Sequence, residues 1–331
     1  MRRAAVVGTG FYVPERVVTN DELSRYMDTS DAWIRERSGI EERRWASEGT
    51  TCAGMARRAS EMALTEAGLR PGAVDAILLA TLSPDHAFPG TSAFLQRELG
   101  LTGIPALDVR AQCTGFVYGL SVADAWVRVG QYRTVLLVGV EIQSTGLDVS
   151  TRGRDMSVLF GDGAGAVVLQ ATEDPDRGVL STHLHAEGQN AEILWCEFES
   201  SASHPRISRE ALDEGRHYPS MVGKEVFRHA VARMSEAVEE ALGANGLAAS
   251  DIDLLIPHQA NLRISQMVQR RLGLTEGRVF NNIQRYGNTT AATIPIALAE
   301  AVREGRLERG DLLCLAAFGS GFTWGSALIR W

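Results

Sequence analysis

Three residues far apart in the chain have side chains suited to moving an acyl group. Cys113 stands in the run Pro105-Ala-Leu-Asp-Val-Arg-Ala-Gln-Cys-Thr-Gly-Phe-Val-Tyr-Gly-Leu-Ser121, where an apolar strand hands over to a helix. A thiol at a helix N-terminus faces unpaired backbone N–H groups and the positive end of the helix dipole, both of which favour the thiolate. An ordinary thiol with a pKa of about 8.5 is only about 3 % ionised at pH 7, so this position predicts a depressed pKa and a stronger nucleophile. His258 closes the apolar run Leu254-Leu-Ile-Pro-His-Gln-Ala-Asn261, and Asn288 sits in Arg285-Tyr-Gly-Asn-Thr-Thr-Ala-Ala-Thr293 at another predicted helix start. Ligands of open α/β sheets gather at the carboxyl ends of strands. All three residues lie at such ends, so one crevice can hold them. Each also has a plainer reading, as a buried cysteine or a hydrogen-bonded residue at a strand end.

Further stretches share the same order from one end to the other. They are Gly8-Thr-Gly-Phe-Tyr-Val-Pro-Glu-Arg16, Asp28-Thr-Ser-Asp-Ala-Trp-Ile34, Phe160-Gly-Asp-Gly-Ala-Gly-Ala166, Pro257-His-Gln-Ala-Asn-Leu-Arg263, Tyr286-Gly-Asn-Thr289 and Phe318-Gly-Ser-Gly-Phe-Thr-Trp-Gly325. With these the chain resembles the β-ketoacyl-acyl-carrier-protein synthase III enzymes, condensing enzymes of the thiolase superfamily. The resemblance implies an α/β, duplicated thiolase-like fold with five αβαβα layers. It also implies a homodimer that uses acyl-CoA and malonyl-ACP, the CoA thioesters being substrate and product, with no resident cofactor and no metal.

The chemistry of the trio fits that family. A thiolate exchanges readily with a thioester to give an acyl-enzyme. A malonyl thioester that loses carbon dioxide supplies a carbon nucleophile, and its thioester oxygen then bears the enolate charge. The family assigns the Nε2–H of His258 and the side-chain amide of Asn288 to that oxygen, and both are suitable donors. By the same resemblance the backbone amides of Cys113 and Ser320 form the oxyanion hole, with Ser320 standing where glycine is common. Asn261 is expected to orient His258 or a water. Phe88 and Phe318 are implied acyl-pocket residues, Phe88 near the partner's pocket. Trp33, Arg37 and Arg152 resemble coenzyme A contacts, an indole and a guanidinium enclosing adenine while another arginine meets phosphate. Arg228, Arg263, Arg270 and Arg271 occupy positions that face acyl carrier protein in the family; a solvated helix face is the plainer reading of these four.

Composition bounds the alternatives. The 331 residues are 45 % hydrophobic, enough for a large core and about two structural units. No run is long and apolar enough to span a bilayer. The N-terminus, Met1-Arg-Arg-Ala-Ala-Val-Val-Gly-Thr-Gly10, reads as a first strand rather than a signal peptide, so a cytoplasmic location is expected. A net charge of −8 argues against nucleic acid as a partner. The basic residues are 32 arginines and Lys224 alone, so any site for an acidic partner must be built from arginine. Cys52 and Cys314 read as core fillers, while the role of Cys196 stays open.

Alternating apolar runs and helical stretches mark an α/β chain. Strands are expected near 4–8, 74–81, 106–111, 135–140 and 166–170, with helices near 52–67, 91–99 and 115–129. The plan repeats with strands near 179–185, 254–257, 279–281, 312–317 and 326–329, and helices near 225–242, 262–272 and 290–304. The halves divide as 1–172, carrying the cysteine, and 173–331, carrying the histidine and asparagine. Val158-Leu-Phe-Gly-Asp-Gly163 parallels Ala316-Ala-Phe-Gly-Ser-Gly321, each expected between two apolar strands, and the turn at Cys113 parallels the turn at Asn288. Neither Gly8-Thr-Gly10 nor Gly161-Asp-Gly163 opens a helix, so neither cradles a nucleotide phosphate.

The order Cys–His–Asn also occurs in papain-like hydrolases. Thr114-Gly115-Phe116 and the paired Phe-Gly-x-Gly turns argue against them. A non-catalytic chain-length partner would be expected to lose Cys113. The closer rival is a specialised acyltransferase or starter-unit synthase of polyketide metabolism. Gln112, where alanine is frequent, and the unassigned stretch 189–220, placed where a substrate-shaping loop would fit, keep that rival open.

Overall fold

The computed structural model describes residues 2–331. Its first sheet is built from β1 (Arg3–Tyr12), β2 (Ala76–Ala80), β3 (Ala106–Val109), β4 (Thr134–Glu141) and β5 (Gly163–Thr172), in the order β1-β5-β4-β2-β3. Its second contains β6 (Gly178–Ala186), β7 (Leu254–Pro257), β8 (Leu312–Gly319) and β9 (Thr323–Arg330), in the order β6-β9-β8-β7. A parallel bridge from Leu255 to Val279 marks where a fifth strand would lie. The expected strand at 279–281 is therefore a single bridge, and with it the two sheets repeat one plan.

Burial explains the patterning. β2, β4 and β8 are covered on both faces, which is why they read as unbroken apolar runs rather than alternating ones. Helices α1 (Asp31–Ser38) and α2 (Cys52–Glu66) begin on side-chain caps, Ser30 Oγ accepting from Trp33 N and Thr51 Oγ1 from Gly54 N. α2 buries Met55, Ala56, Ala59 and Ala63 against the outer face of the first sheet. α3 (Gly115–Arg128) and α4 (Thr293–Arg303) are apolar over most of their surface because they lie between the sheets. The central cluster joins Leu78 and Leu137 of one sheet to Phe116, Leu120 and Leu298 of these helices and to Leu313 and Leu315 of the other sheet. α5 (Gly223–Ala244) and α6 (Leu262–Leu272) cover the second sheet from outside, burying Met234, Val238 and Val268. The five layers αβαβα are thus present.

One expected parallel holds only in part. The Phe318-Gly-Ser-Gly turn joins β8 directly to β9. Phe160-Gly-Asp-Gly instead follows the short helix Arg154–Ser157, and 158–160 is not a strand. The chain between β4 and β5 makes a long excursion over the site, and Phe160 forms only an isolated bridge with Asn288.

The start of each central helix is built alike. The 3-10 turn Gln112–Thr114 leads into α3, and the 3-10 turn Thr290–Ala292 leads into α4. Gln112 and Thr290 take left-handed φ values of 45° and 46°. No helix among the described residues is long and apolar enough to cross a membrane.

The two halves meet at backbone contact distance. A Cβ added at Gly139 of β4 would lie 2.3 Å from the carbonyl oxygen of Ala291 in the opposite turn. Backbone cannot step aside as a flexible side chain would, and crowding of this kind costs about 1–3 kcal/mol. Gly139→Ala is expected to lower stability by that amount in urea unfolding. Gly188→Ala, with open space around it, should be neutral. Equal stability of the two variants would show that the halves part freely.

Candidate active site

Cys113, His258 and Asn288 line one cavity of about 340 Å³, with Phe318, Gly319 and Ser320 also in its wall. Cys113 is 9 % exposed and sits in the 3-10 turn, two residues before α3 begins. Gly319 at the end of β8 lies so close that an added Cβ would be 2.8 Å from the Cys113 Cβ. The Thr114 and Thr323 hydroxyls meet at 2.9 Å, joining the cysteine turn to the β8–β9 hairpin.

His258 extends β7, its backbone N–H donating to Ala316 O at 2.8 Å. Its ring is buried, with Nδ1 2.7 Å from Thr293 Oγ1 and Nε2 without a hydrogen-bond partner. Asn288 Oδ1 accepts the Thr290 N–H at 2.8 Å, which orients the amide and leaves its NH2 end as the donor. The structure therefore brings the three residues together, each held by main-chain or hydroxyl contacts.

The expected depressed pKa of Cys113 is not found. Burial pushes the thiol up to about 12, and the nearby carboxylate of Glu141 adds to the effect. Desolvation outweighs the helix start because the thiol lies in the dry turn ahead of the helix rather than on its open end. Burial likewise pulls His258 down to about 3. The resting pair is a neutral thiol and a neutral imidazole.

Glu141 is a residue that sequence reasoning missed, although an acid closing an apolar strand was its visible signal. It is fully buried at the end of β4 and accepts from Ser83 Oγ at 2.6 Å, from the backbone N–H groups of Leu82 and Ser83, and from Gln143 Nε2. Burial pushes its carboxyl up, while these donors act in the other direction.

The remaining expected residues fall as follows. Asn261 lines the cavity with its side chain hydrogen-bonded elsewhere than to His258. Its Oδ1 caps α6 through Arg263 N and its Nδ2 donates to Arg37 O at 2.8 Å, so it serves as a helix cap. Trp33 carries Arg37 at 4.5 Å on its ring and also Arg154, at 4.6 Å, a residue the sequence did not single out. Arg152 lies instead over Tyr218 and bonds Asp148. Phe318 lines the cavity, whereas Phe88 is 83 % exposed and lies outside its own chain's cavity. Arg228 is on α5, paired with Glu225, and Arg263, Arg270 and Arg271 are on α6. Cys52 and Cys314 are buried; Cys196 is exposed and lines the cavity beside Leu194 and Trp195 of the 189–220 stretch.

A thiol held at about 12 should react ever faster with rising pH. Alkylation of Cys113 by iodoacetamide is expected to climb about tenfold per pH unit from 6 to 9 with no plateau. A plateau near neutrality, followed by mass spectrometry of the peptide containing Cys113, would show a depressed pKa after all.

Comparison with known proteins gives consistent relationships. A family model described as 3-oxoacyl-[acyl-carrier-protein (ACP)] synthase III matches residues 107–188, and one described as the C terminal of that synthase matches residues 242–331. The chain is similar to a beta-ketoacyl-[acyl-carrier-protein] synthase III of Acidiphilium cryptum, 48 % identical over 331 residues and covering 100 % of both chains. It is as similar to the one from Granulibacter bethesdensis, 48 % identical over 334 residues and again covering 100 % of both. Among solved structures it is similar to the 3-oxoacyl-[acyl-carrier-protein] synthase III of Aquifex aeolicus, with a TM-score of 0.91, 42 % identity, and 99 % of this chain and 100 % of that chain covered. The priming beta-ketosynthase from the R1128 polyketide pathway is 33 % identical, with a TM-score of 0.89 and coverage of 98 % and 96 %.

Proposed function

Because this chain belongs to the β-ketoacyl-acyl-carrier-protein synthase III family, we propose that its buried cavity is where an acyl primer is joined to a malonyl thioester. The enzyme is an acyl-transferring condensing enzyme that forms 3-oxoacyl-ACP and so begins fatty acid synthesis. The observation that carries the site reading is the convergence of Cys113, His258 and Asn288 on one cavity. Residues 1–172 bring the nucleophile, and 173–331 bring the two side chains that act on the malonyl group.

Cys113 Sγ attacks the thioester carbonyl of acyl-CoA, the bond to the coenzyme A sulfur breaks, and coenzyme A leaves as its thiol. Malonyl-ACP then loses carbon dioxide, and the electron pair of the broken C–C bond passes into an enolate. Asn288 Nδ2 and His258 Nε2 hold the enolate oxygen. The enolate carbon attacks the acyl carbon, whose oxygen is held by the amides of Cys113 and Ser320, and Cys113 departs. Fixed dipoles in a water-poor site are worth more here than the same groups in water. Coenzyme A lies along Trp33 and its arginines Arg37 and Arg154, with Arg152 toward phosphate. Acyl carrier protein meets Arg228, Arg263, Arg270 and Arg271. The polyketide alternative is not favoured: relatives that match at 48 % over their full length are named beta-ketoacyl-[acyl-carrier-protein] synthase III, whereas the polyketide priming ketosynthase is 33 % identical. Gln112 and the 189–220 stretch set which primers fit.

Incubation with acyl-CoA should add the acyl mass to the peptide containing Cys113, and Cys113→Ala should abolish condensation. His258→Ala and Asn288→Ala should still be acylated yet release carbon dioxide from malonyl-ACP about a hundred- to a thousandfold more slowly. Normal decarboxylation by both variants would remove them from the mechanism.

The active unit is a homodimer formed along β3, whose outer edge is unpaired within the sheet. Supporting this are the exposed Leu107 on that strand and Phe88, 83 % exposed in the loop after β2; in the proposed dimer Phe88 reaches into the partner's acyl pocket. Phe88→Ala is expected to shift kcat/KM toward longer primers, each added methylene being worth up to about 0.8 kcal/mol. A monomer in sedimentation, or an unchanged primer profile, would count against the arrangement.

A further inference from the structure

Thr293 is the first residue of α4, and its hydroxyl faces two ways. Oγ1 lies 2.7 Å from His258 Nδ1 and 3.0 Å from Thr290 O. A hydroxyl has one proton to give. If that proton went to Nδ1, the contact with Thr290 O would set two lone-pair oxygens face to face at hydrogen-bond distance. Only one arrangement makes both contacts favourable: Nδ1–H donates to Oγ1, and Oγ1–H donates to Thr290 O. Tautomers are assigned from such networks, and here the network gives one answer.

The consequence falls on the other ring nitrogen. With Nδ1 protonated, Nε2 of the neutral ring carries a lone pair, and it is buried in the cavity wall with no hydrogen-bond partner. No charged side chain acts on the ring, whose pKa is lowered by burial alone. We propose that Thr293 is a positioning residue that holds the Nδ1–H tautomer of His258, making Nε2 the single proton port of the site. This proposal rests on the condensing reaction set out above and adds to it a source and a destination for the proton that condensation consumes.

In acyl transfer the proton of the Cys113 thiol ends on the coenzyme A sulfur as the old C–S bond breaks, and the His258 ring stays neutral. Condensation as a whole consumes one proton, because the carboxylate leaves as carbon dioxide and Cys113 must finish as a thiol. That proton comes from water and enters at Nε2 when the malonyl carboxylate arrives, since a nearby anion favours the imidazolium. The Nε2–H then donates to the enolate oxygen and passes its proton to the departing Cys113 sulfur. Nδ1–H stays on Thr293 throughout. The donor role expected of His258 is thus acquired during the cycle rather than present at rest.

Two variants and one spectrum test this. Thr293→Val keeps the branched shape and removes the hydroxyl; Thr293→Ser keeps the hydroxyl. In single-turnover experiments on enzyme already acylated at Cys113, Thr293→Val is expected to release carbon dioxide from malonyl-ACP about a hundredfold more slowly, with Thr293→Ser close to the parent. Two-bond 1H–15N correlations of 15N-histidine-labelled enzyme should show His258 as the Nδ1–H tautomer in the parent and in Thr293→Ser. In Thr293→Val the signal should move toward Nε2–H. A parent spectrum with Nε2–H overturns the proposal even if both variants fail to fold. So does a folded Thr293→Val that decarboxylates malonyl-ACP at the parent rate. A parent enzyme that never acylates Cys113 would instead overturn the function proposed for the site, whatever the tautomer.

Discussion

The site depends on a reciprocal backbone contact between the two halves. The last residues of β4 support the turn Thr290–Ala292, and the end of β8 supports the turn Gln112–Thr114, so each sheet carries the other half's helix start. Both contacts require glycine, Gly139 against the Ala291 carbonyl and Gly319 against Cys113, because any Cβ would occupy space the opposing turn fills. The large central core fixes the halves face to face, and these two glycines set how near they come. A cavity lined by residues 113, 258 and 288 exists because that separation is small.

Close packing also decides the electrostatics. A cysteine near a helix start would ordinarily be read as a thiolate, yet the contact that brings Gly319 onto Cys113 strips the thiol of water, and desolvation outweighs the dipole. His258 is affected in the opposite direction by the same burial. Neither group is charged at rest, so no ion pair has to be held in a dry pocket before substrate arrives. Charge enters with the malonyl carboxylate and moves as bonds change, where the Asn288 amide and the main-chain N–H groups already stand oriented.

Much of this was legible in the sequence, for identifiable reasons. Strands buried on both faces announce themselves as unbroken apolar runs, as β2, β4 and β8 do, and helices between sheets as mostly apolar stretches. The duplication could be read from Phe-Gly-x-Gly and from the paired turns. Three kinds of feature could not. The strand expected at 279–281 shrank to one bridge because pairing depends on a neighbour, not on local propensity. Asn261, expected to orient His258 or a water, also caps α6 and bonds Arg37, contacts that spacing alone does not reveal. Arg154 shares the Trp33 ring with Arg37 because the excursion between β4 and β5 folds back over α1, and nothing in the local sequence reports that path.

The duplicated turns also show how a symmetric frame holds an asymmetric reaction. Matching their 3-10 residues sets Gln112 against Thr290, Cys113 against Ala291 and Gly115 against Thr293. A second thiol in place of Ala291 would be a competing nucleophile on the wrong side of the contact, and the methyl there is inert. A side chain in place of Gly115 would collide with Ala80, whose Cβ lies 2.9 Å from the added atom. The counterpart position has room for a threonine, and its hydroxyl reaches the His258 ring. One turn therefore specialises in bond making and the other in orienting the groups that handle charge and protons. The frame supplies two equivalent helix starts, and the difference between Gly115 and Thr293 helps separate their work.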